Sequence, residues 1–480
     1  MTNSNHISKP HIVLFPFLDQ GHIRPFLSLF SHIRRRHPDL TITLVSTPGN
    51  IIITRSILPS FLSLNFHSIP FSPELHGLPS NADTTCKVPF PLIISFLKAS
   101  ESLRPAFENF ISSLSYPVHI ISDPFFSWSV EVSRKYNTLH SIFLTSGAYS
   151  TTVWFSLWLK VPLGLRPSVD DEFQLPELNV KIHISQCSKN MLEADGNNQW
   201  ATFFQRQIRL CLQSDATLVN TVEGFEPMGL QMLRKWLSMP VFPVGPLYHS
   251  ASLLTNNNGI AEWLNTKPPA SVLYISFGSQ FTVHARAMME LAIALEYMSH
   301  PFIWVIRPPL GYDIREKFKA EWLPEGFEGR VKLQKKGLLI HEWAPQVEIL
   351  AHEATGAFLS HCGWNSTLES LTHGVPVIAW PLLADQFYNS KMLEDMGLAV
   401  ELARGLMADL EREWVQEVVQ TVMGENNKGK ELKLKAREIR EVMETAWKED
   451  GDEGASSKGL NDFFQFASKK IIDKQDMVFS

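Results

Sequence analysis

The chain has 480 residues, 44% of them hydrophobic and 19% charged, with a formal net charge of −6 and an isoelectric point near 6.3. That length exceeds one ordinary hydrophobic core, so two domains are expected. The weakly acidic balance offers no basic field to nucleic acid or an anionic membrane, and no stretch approaches the roughly 18 apolar residues of a membrane span.

The first strand is predicted at His11 to Phe15. The apolar run from Ile12 to Leu18 is broken by Pro16 and followed by Asp19, which reads as a buried strand and not as a signal peptide. PFLDQGHIRP reads as a loop, and PFLSLFSHIRRRH as a helix with apolar residues at helical spacing. Strands follow at Leu40 to Ser46, Val118 to Ser122, Ser141 to Thr145 and Ala216 to Asn220, with a helical stretch WSVEVSRKYN between the second and third of these. Strands alternating with helices predict a parallel sheet covered on both faces.

Pro240, Pro243 and Pro246 then punctuate the chain, and HSASLLTNNNG is Ser/Asn-rich, the composition of a linker. A second α/β series runs through SVLYISFGS, PFIWVIR, GLLIHEW, TGAFLSH and VPVIAWP. The expected organisation is an N-terminal domain over 1–247, a linker over 248–270, a second domain over 271–456, and a terminal helix within 457–480 packing back on the first domain. Residues 409–448 are charged and read as one or two surface helices. The four cysteines, Cys86, Cys187, Cys211 and Cys362, form no CxxC pair. Neither a zinc site nor a disulfide framework is indicated, and a reducing, cytoplasmic setting is expected.

The densest chemistry lies between Trp343 and Gln386. Ligands of open α/β sheets bind beyond the carboxyl ends of the strands. The strand TGAFLSH ends at His361, and Gly363-Trp364-Asn365-Ser366 opens a helix whose N-terminus offers unpaired N–H groups to a pyrophosphate. Gly363 would allow close backbone approach, and Asn365 or Ser366 could cap the helix. Glu369, one turn on, suits ribose hydroxyls. Trp343 could stack on a base, and Asp385 and Gln386 suit hexose hydroxyls. Taken singly, each is as readily a packing or loop residue; the ordered run is what points to a nucleotide-sugar site.

The run Trp343 to Gln386 closely resembles the signature box of plant family 1 UDP-dependent glycosyltransferases. The resemblance extends to FPFLDQGHIRPFLSL, HGLPSNADTT, PVGPL and SVLYISFGS, nearly the whole chain. It implies a GT-B fold, two doubly wound Rossmann-like domains facing across a cleft, and a UDP-sugar donor. It assigns Trp343, Ala344 and Gln346 to uracil and ribose, and Glu369 to the ribose hydroxyls. His361, Asn365, Ser366 and Ser279 go to the diphosphate, and Trp364, Asp385 and Gln386 to the sugar. A Gln at position 386 implies glucose. Glu353 stands where the family commonly has proline.

A base is still needed. His22 follows Gly21 beyond the first strand, and Asp123 ends VHIIS at the same sheet edge. A histidine suits general base work near neutral pH, and a carboxylate can orient it. Alone, His22 reads as a loop histidine, and Asp123 before Pro124 as a turn residue. Both match the family's catalytic pair, and Thr145 matches a hydroxyl facing the sugar. Asp19, three residues before His22, departs from the usual small or apolar residue; it could raise the His22 pKa, touch a polar acceptor or face solvent.

The reaction implied is an inverting, metal-independent glucosyl transfer to a small apolar acceptor such as a flavonoid, another phenol or a terpenoid, by a monomer. The string Asp450-Gly451-Asp452 lies in an acidic, glycine-rich stretch and reads as a solvated loop, not a metal site. Candidate acceptor walls are Phe17, Phe90, Phe125, Phe126, Trp154 and Phe203, joined by Phe155, Trp158 and Phe204. Another UDP-sugar, or a UDP-sugar-binding protein without catalysis, are the alternatives; no GxGxxG follows the first strand, which argues against a dinucleotide oxidoreductase.

Overall fold

The computed structural model describes residues 10–58, 63–115, 117–248, 258–449 and 451–479. The chain divides into two compact units. One comprises Met1–Leu165, Glu193–Ala251 and Ala446–Ser480; the other comprises Arg166–Leu192 and Ser252–Thr445.

In the first unit the strands are β1 (His11–Phe15), β2 (Ile42–Ser46), β3 (Asn65–Ser68), β4 (Val118–Ser122) and β5 (Leu139–Leu144). An antiparallel hairpin, β6 (Glu172–Leu175) with β7 (Val180–His183), lies in the stretch that groups with the second unit. The first unit then adds β8 (Ala216–Val219) and β9 (Val241–Pro243). Its seven strands pair in the order β3-β2-β1-β4-β5-β8-β9, all parallel. Ile12, Val13, Leu14 and Phe15 have no exposed surface, as expected of a central strand covered on both faces.

The second unit carries β10 (Val272–Ser276), β11 (Phe302–Val305), β12 (Gly337–Ile340), β13 (Thr355–Ser360), β14 (Val377–Ala379) and β15 (Ala399–Glu401). They pair in the order β12-β11-β10-β13-β14-β15, again parallel. Both sheets thus reverse direction beside their first strand, at β1/β4 and at β10/β13. In a doubly wound sheet this switch point opens the crevice where ligands bind.

Several elements differ from the sequence expectations for physical reasons. The helix expected to begin at Pro25 begins at Gln20 and runs to Arg36. Asp19 caps it, and Pro25 lies inside it, where it lacks an N–H for the Gly21 carbonyl. β3, β9 and β15 are short strands without a β-branched run, and the β6–β7 hairpin lies in a polar stretch. The stretch 166–192, expected in the first domain, groups with the second. Arg404 donates to the Ser185 hydroxyl at 2.6 Å, and the Tyr388 hydroxyl lies 4.0 Å from the Met191 sulfur. Residues 249–257 of the expected linker lie outside the described residues; 258–264 form a helix.

The terminal helix Ala455–Phe479 packs on β5 and β9. Leu460, Phe463, Ala467 and Ile471 are buried, and Lys474 Nζ donates to the Thr138 carbonyl at 2.5 Å. Trp447 anchors the approach to this helix, its ring stacked 3.6 Å from His32 and its Nε1 donating to the Pro246 carbonyl. No helix among the described residues is long and apolar enough to cross a membrane.

Candidate active site

At the switch point of the first sheet, β1 runs into the turn 16–19 and β4 ends beside it at Asp123. Asp19 sits in extended backbone and its carboxylate accepts from Gly21 N–H at 2.6 Å, closing the first turn of the helix Gln20–Arg36. His22, expected in a loop, is therefore the third residue of a helix. Its Nδ1 lies 2.6 Å from Asp123 Oδ2. The Asp123 side chain is fully buried and that of His22 is 25% exposed.

The other oxygen of Asp123 accepts from Phe125 N–H at 2.9 Å, capping the short turn Pro124–Phe126. The turn residue and the histidine partner are thus one side chain with its two oxygens divided between two tasks. Thr145 Oγ1 lies 3.3 Å from His22 Nδ1, on the opposite side of β4 from β1, where β5 ends.

Aromatic rings adjoin the dyad. Phe17 and Phe125 lie 5.6 and 5.4 Å from the His22 ring. Phe125 neighbours Trp154 at 6.2 Å and Phe203 at 6.5 Å. Phe125 and Trp154 are half-buried, whereas Phe17 and Phe203 are nearly covered, so the first pair can touch a ligand and the second backs it. Phe126 is core and not wall: it has no exposed surface and stacks 4.3 Å from Phe15. Phe155, Trp158 and Phe204 are likewise buried. Phe90 is 39% exposed.

At the switch point of the second sheet, β10 leads to exposed Ser279 and β13 leads to His361. The helix Trp364–Thr372 has Gly363 as its N-cap, with no side-chain cap bond, so neither Asn365 nor Ser366 caps it. Gly363 and Gly278 are needed for a reason the sequence did not disclose. A Cβ at Gly363 would lie 2.4 Å from His361 Nε2, and one at Gly278 2.8 Å from it. Gly278 also has φ +83°, a conformation that favours glycine. Desolvation in this bed pushes the His361 imidazole down to about 4, so it is neutral at physiological pH.

Gln346 links β10 to the helix Trp364–Thr372. It opens the helix Gln346–Ala351. Its Nε2 donates to Glu369 Oε2 at 2.6 Å and Ser366 Oγ at 3.0 Å, and its Oε1 accepts from the buried Tyr274 hydroxyl at 3.1 Å. Tyr274 was not identified from sequence; it sits mid-strand in β10, where an aromatic residue reads as core. Burial raises its pKa, so it remains a donor. Trp343, beyond the end of β12, is 48% exposed, and Ala344 is buried. Trp364 is 4% exposed and offers a ligand little surface.

Asp385 and Gln386, expected in a loop, open the helix Gln386–Asp395. Gln386 Oε1 accepts from Leu382 N–H at 2.9 Å and Leu383 N–H at 3.0 Å, which leaves its amide nitrogen to donate. Asp385 Oδ2 accepts from Asn389 Nδ2 at 3.3 Å. Among the described residues no three His, Cys, Asp or Glu side chains converge as a metal site would; Asp450 lies outside the described residues. The four cysteines are unpaired.

The family model for UDP-glucoronosyl and UDP-glucosyl transferase matches residues 249–435. UDP-glycosyltransferase 92A1 of Arabidopsis thaliana is 39% identical, over 96% of this chain and 98% of its own length. Crocetin glucosyltransferase 3 of Crocus sativus is 40% identical, over 96% and 100%. The chain belongs to the plant family 1 UDP-glycosyltransferases. This glycosyltransferase also shares its fold with Phytolacca americana UGT2 complexed with UDP-2fluoro-glucose and pterostilbene. That match has a TM-score of 0.79 and 29% identity, and covers 96% of this chain and 100% of the other. It is therefore an enzyme that moves a sugar from a UDP-sugar to a small plant molecule. The run Trp343 to Gln386 lies in the second unit and the His22–Asp123 pair in the first.

Proposed function

We propose that this glycosyltransferase transfers glucose from UDP-glucose to a hydroxyl of a small, largely apolar acceptor, with inversion and without a metal ion. His22 is the general base and Asp123 its partner. The observation that carries this reading is the 2.6 Å contact between His22 Nδ1 and the fully buried Asp123 carboxylate. A carboxylate only accepts, so Nδ1 holds the proton and Nε2 keeps its lone pair.

Nε2 takes the proton of the acceptor hydroxyl as that oxygen attacks the anomeric carbon of the glucose. The bond from that carbon to the diphosphate breaks, and UDP leaves. Asp123 stabilises the imidazolium formed on His22. The N-terminus of the helix Trp364–Thr372, with His361, Asn365, Ser366 and Ser279, accepts the charge appearing on the diphosphate. An α-linked donor then gives a β-glucoside. Trp343 stacks on uracil, Glu369 with Gln346 takes the ribose, and Asp385, Gln386 and Thr145 take the glucose.

Glucose is supported by the name of the Crocus sativus relative and by the UDP-2fluoro-glucose complex of the Phytolacca americana protein. A phenolic or terpenoid acceptor is supported by the half-buried rings of Phe125 and Trp154 beside His22. Unpaired cysteines suit a cytoplasmic location.

The test pairs His22→Ala with a screen of UDP-sugars against phenols and terpenoids, read by mass. His22→Ala should abolish transfer while retaining UDP binding by calorimetry, and EDTA should leave the rate unchanged. An active His22→Ala enzyme overturns the base, and a preference for UDP-galactose, UDP-xylose or UDP-rhamnose overturns the donor.

A further inference from the structure

Asp19, three residues before His22, carries a charge to which the proposed transfer assigns no role. It is 5% exposed, and both of its carboxylate oxygens are engaged. Oδ1 takes Gly21 N–H at 2.6 Å, and Oδ2 takes the Thr85 hydroxyl. Its backbone carbonyl accepts from His22 N–H at 3.0 Å and Ile23 N–H at 2.8 Å. Thr85 returns a second bond, its N–H donating to the Leu18 carbonyl at 3.1 Å.

The segment around Thr85 is tied down a second time. Asn50 Nδ2 donates to the Asp83 carbonyl at 2.7 Å and to Thr47 Oγ1 at 2.9 Å, and Gln20 Nε2 donates to Asn50 Oδ1 at 3.4 Å. Lys87 Nζ pairs with Asp83 Oδ1 at 2.7 Å. Gly49 passes so close that a Cβ there would overlap the Asp83 carboxylate. Beyond Lys87 the chain runs to Phe90 and then to Phe96, whose ring packs 6.0 Å from Phe17. Phe17 in turn lies against His22.

We propose that Asp19 is a positioning residue for the transfer, fixing at once the helical turn that carries the base His22 and, through Thr85, the segment 83–88 that leads into the aromatic wall. One carboxylate spans both because its two oxygens accept in different directions, which neither alanine nor a single hydroxyl can do. Two of the possibilities left open by the sequence, contact with a polar acceptor and a solvent-facing side chain, do not fit these bonds.

The inference rests on His22 being the base, and its test separates the two. Purified Asp19→Ala, Asp19→Asn, Thr85→Val, Thr85→Ser and His22→Ala are compared for kcat, acceptor KM and UDP-sugar KM, each at a temperature where circular dichroism shows it folded. Misplacement of a base by about 1 Å can cost on the order of 100-fold, so Asp19→Ala should lose kcat by 10- to 100-fold, at an unchanged UDP-sugar KM. Asp19→Asn keeps a capping oxygen, and its NH2 can donate to the Thr85 hydroxyl, so it should stay within about threefold of wild type. Thr85→Val should raise the acceptor KM, and Thr85→Ser should restore it. Wild-type kcat in folded Asp19→Ala, or wild-type acceptor KM in Thr85→Val, overturns the proposal even where His22→Ala is dead. If Asp19→Ala does not fold, the Thr85 pair decides alone.

Discussion

Asp123 holds His22 with one carboxylate oxygen, 2.6 Å from Nδ1, and holds the turn after β4 with the other, 2.9 Å from Phe125 N–H. One buried group therefore orients the His22 ring and braces the turn beside it. Replacing it perturbs orientation, tautomer and charge together.

Asp123→Asn is expected to retain the fold, because the amide oxygen can still cap the turn. Its NH2 facing Nδ1 would favour the tautomer with the proton on Nε2, which cannot act as a base. A loss in kcat of roughly 100- to 10,000-fold is expected from triad enzymes treated this way. Steady-state kinetics with UDP calorimetry checks this, and UDP affinity should not move.

Gly363→Ala should weaken UDP binding without disturbing the first unit. The added Cβ would lie 2.4 Å from His361 Nε2, which forces the imidazole or the helix start to shift. A UDP dissociation constant raised about tenfold corresponds to about 1.4 kcal/mol, within the cost of a small overpacking strain. Calorimetry of the variant and wild type reads it directly.

Gln346→Ala should raise the UDP-sugar KM and leave the acceptor KM alone. The side chain ties Tyr274, Ser366 and Glu369 together, and truncation leaves the buried Tyr274 hydroxyl without that acceptor. Loss of a net hydrogen bond costs about 0.5–1.5 kcal/mol, so a small fall in melting temperature is expected too. Kinetics over a donor series and a thermal melt check both.

Stability should fall steeply in acid. Burial, with Lys474 nearby, holds His119 down to about 3. Burial, with His119, Lys474 and Arg134, holds His140 down to about 3. Burial, with Arg35 and Arg36, holds His32 down to about 3. Each folded value lies below the unfolded 6.5, so the unfolded chain binds the extra proton. Their contribution is complete above pH 6.5 and is lost as pH falls from there toward 3. The slope is at most about 1.4 kcal/mol per pH unit for each histidine. Urea melts between pH 7 and 4 measure it, and His119→Gln, which can keep the bond to Ser141 Oγ, should flatten the curve.

Gly459→Ala should lower the melting temperature. A Cβ at this position would sit 2.1 Å from the Pro243 carbonyl oxygen, against backbone that cannot rotate away. A destabilisation of about 1–3 kcal/mol is expected for such overpacking, and calorimetric melting checks it.

Much of this was legible in the sequence because its signals are local. β1 and β4 are runs of apolar and β-branched residues that bury both faces, and their spans are read off directly. The ordered run from Trp343 to Gln386 carries the family resemblance in one contiguous segment. The dyad was legible for a related reason: His22 and Asp123 each follow a strand of one parallel sheet, and parallel register brings such strand ends to one edge. What failed was also instructive. Pro25 suggested that the helix began there, but a capping aspartate starts it five residues earlier. Phe126 reads the same as Phe125 in sequence, yet a 3-10 turn sends one ring into the core and leaves the other half-buried.

The sequence by itself determined the family and the two parallel sheets, because strand periodicity, glycine placement and motif order are properties of the chain alone. Only the tertiary structure decided which oxygen of Asp123 serves His22, that Gln346 is the hub joining Tyr274, Ser366 and Glu369, that Gly363 yields to His361, and that Asp19 is spent on Gly21 and Thr85. Each of these is a choice among hydrogen-bond partners distant in sequence. Such choices are made by burial, which removes water as the competing partner and leaves one arrangement in which the polar groups are satisfied.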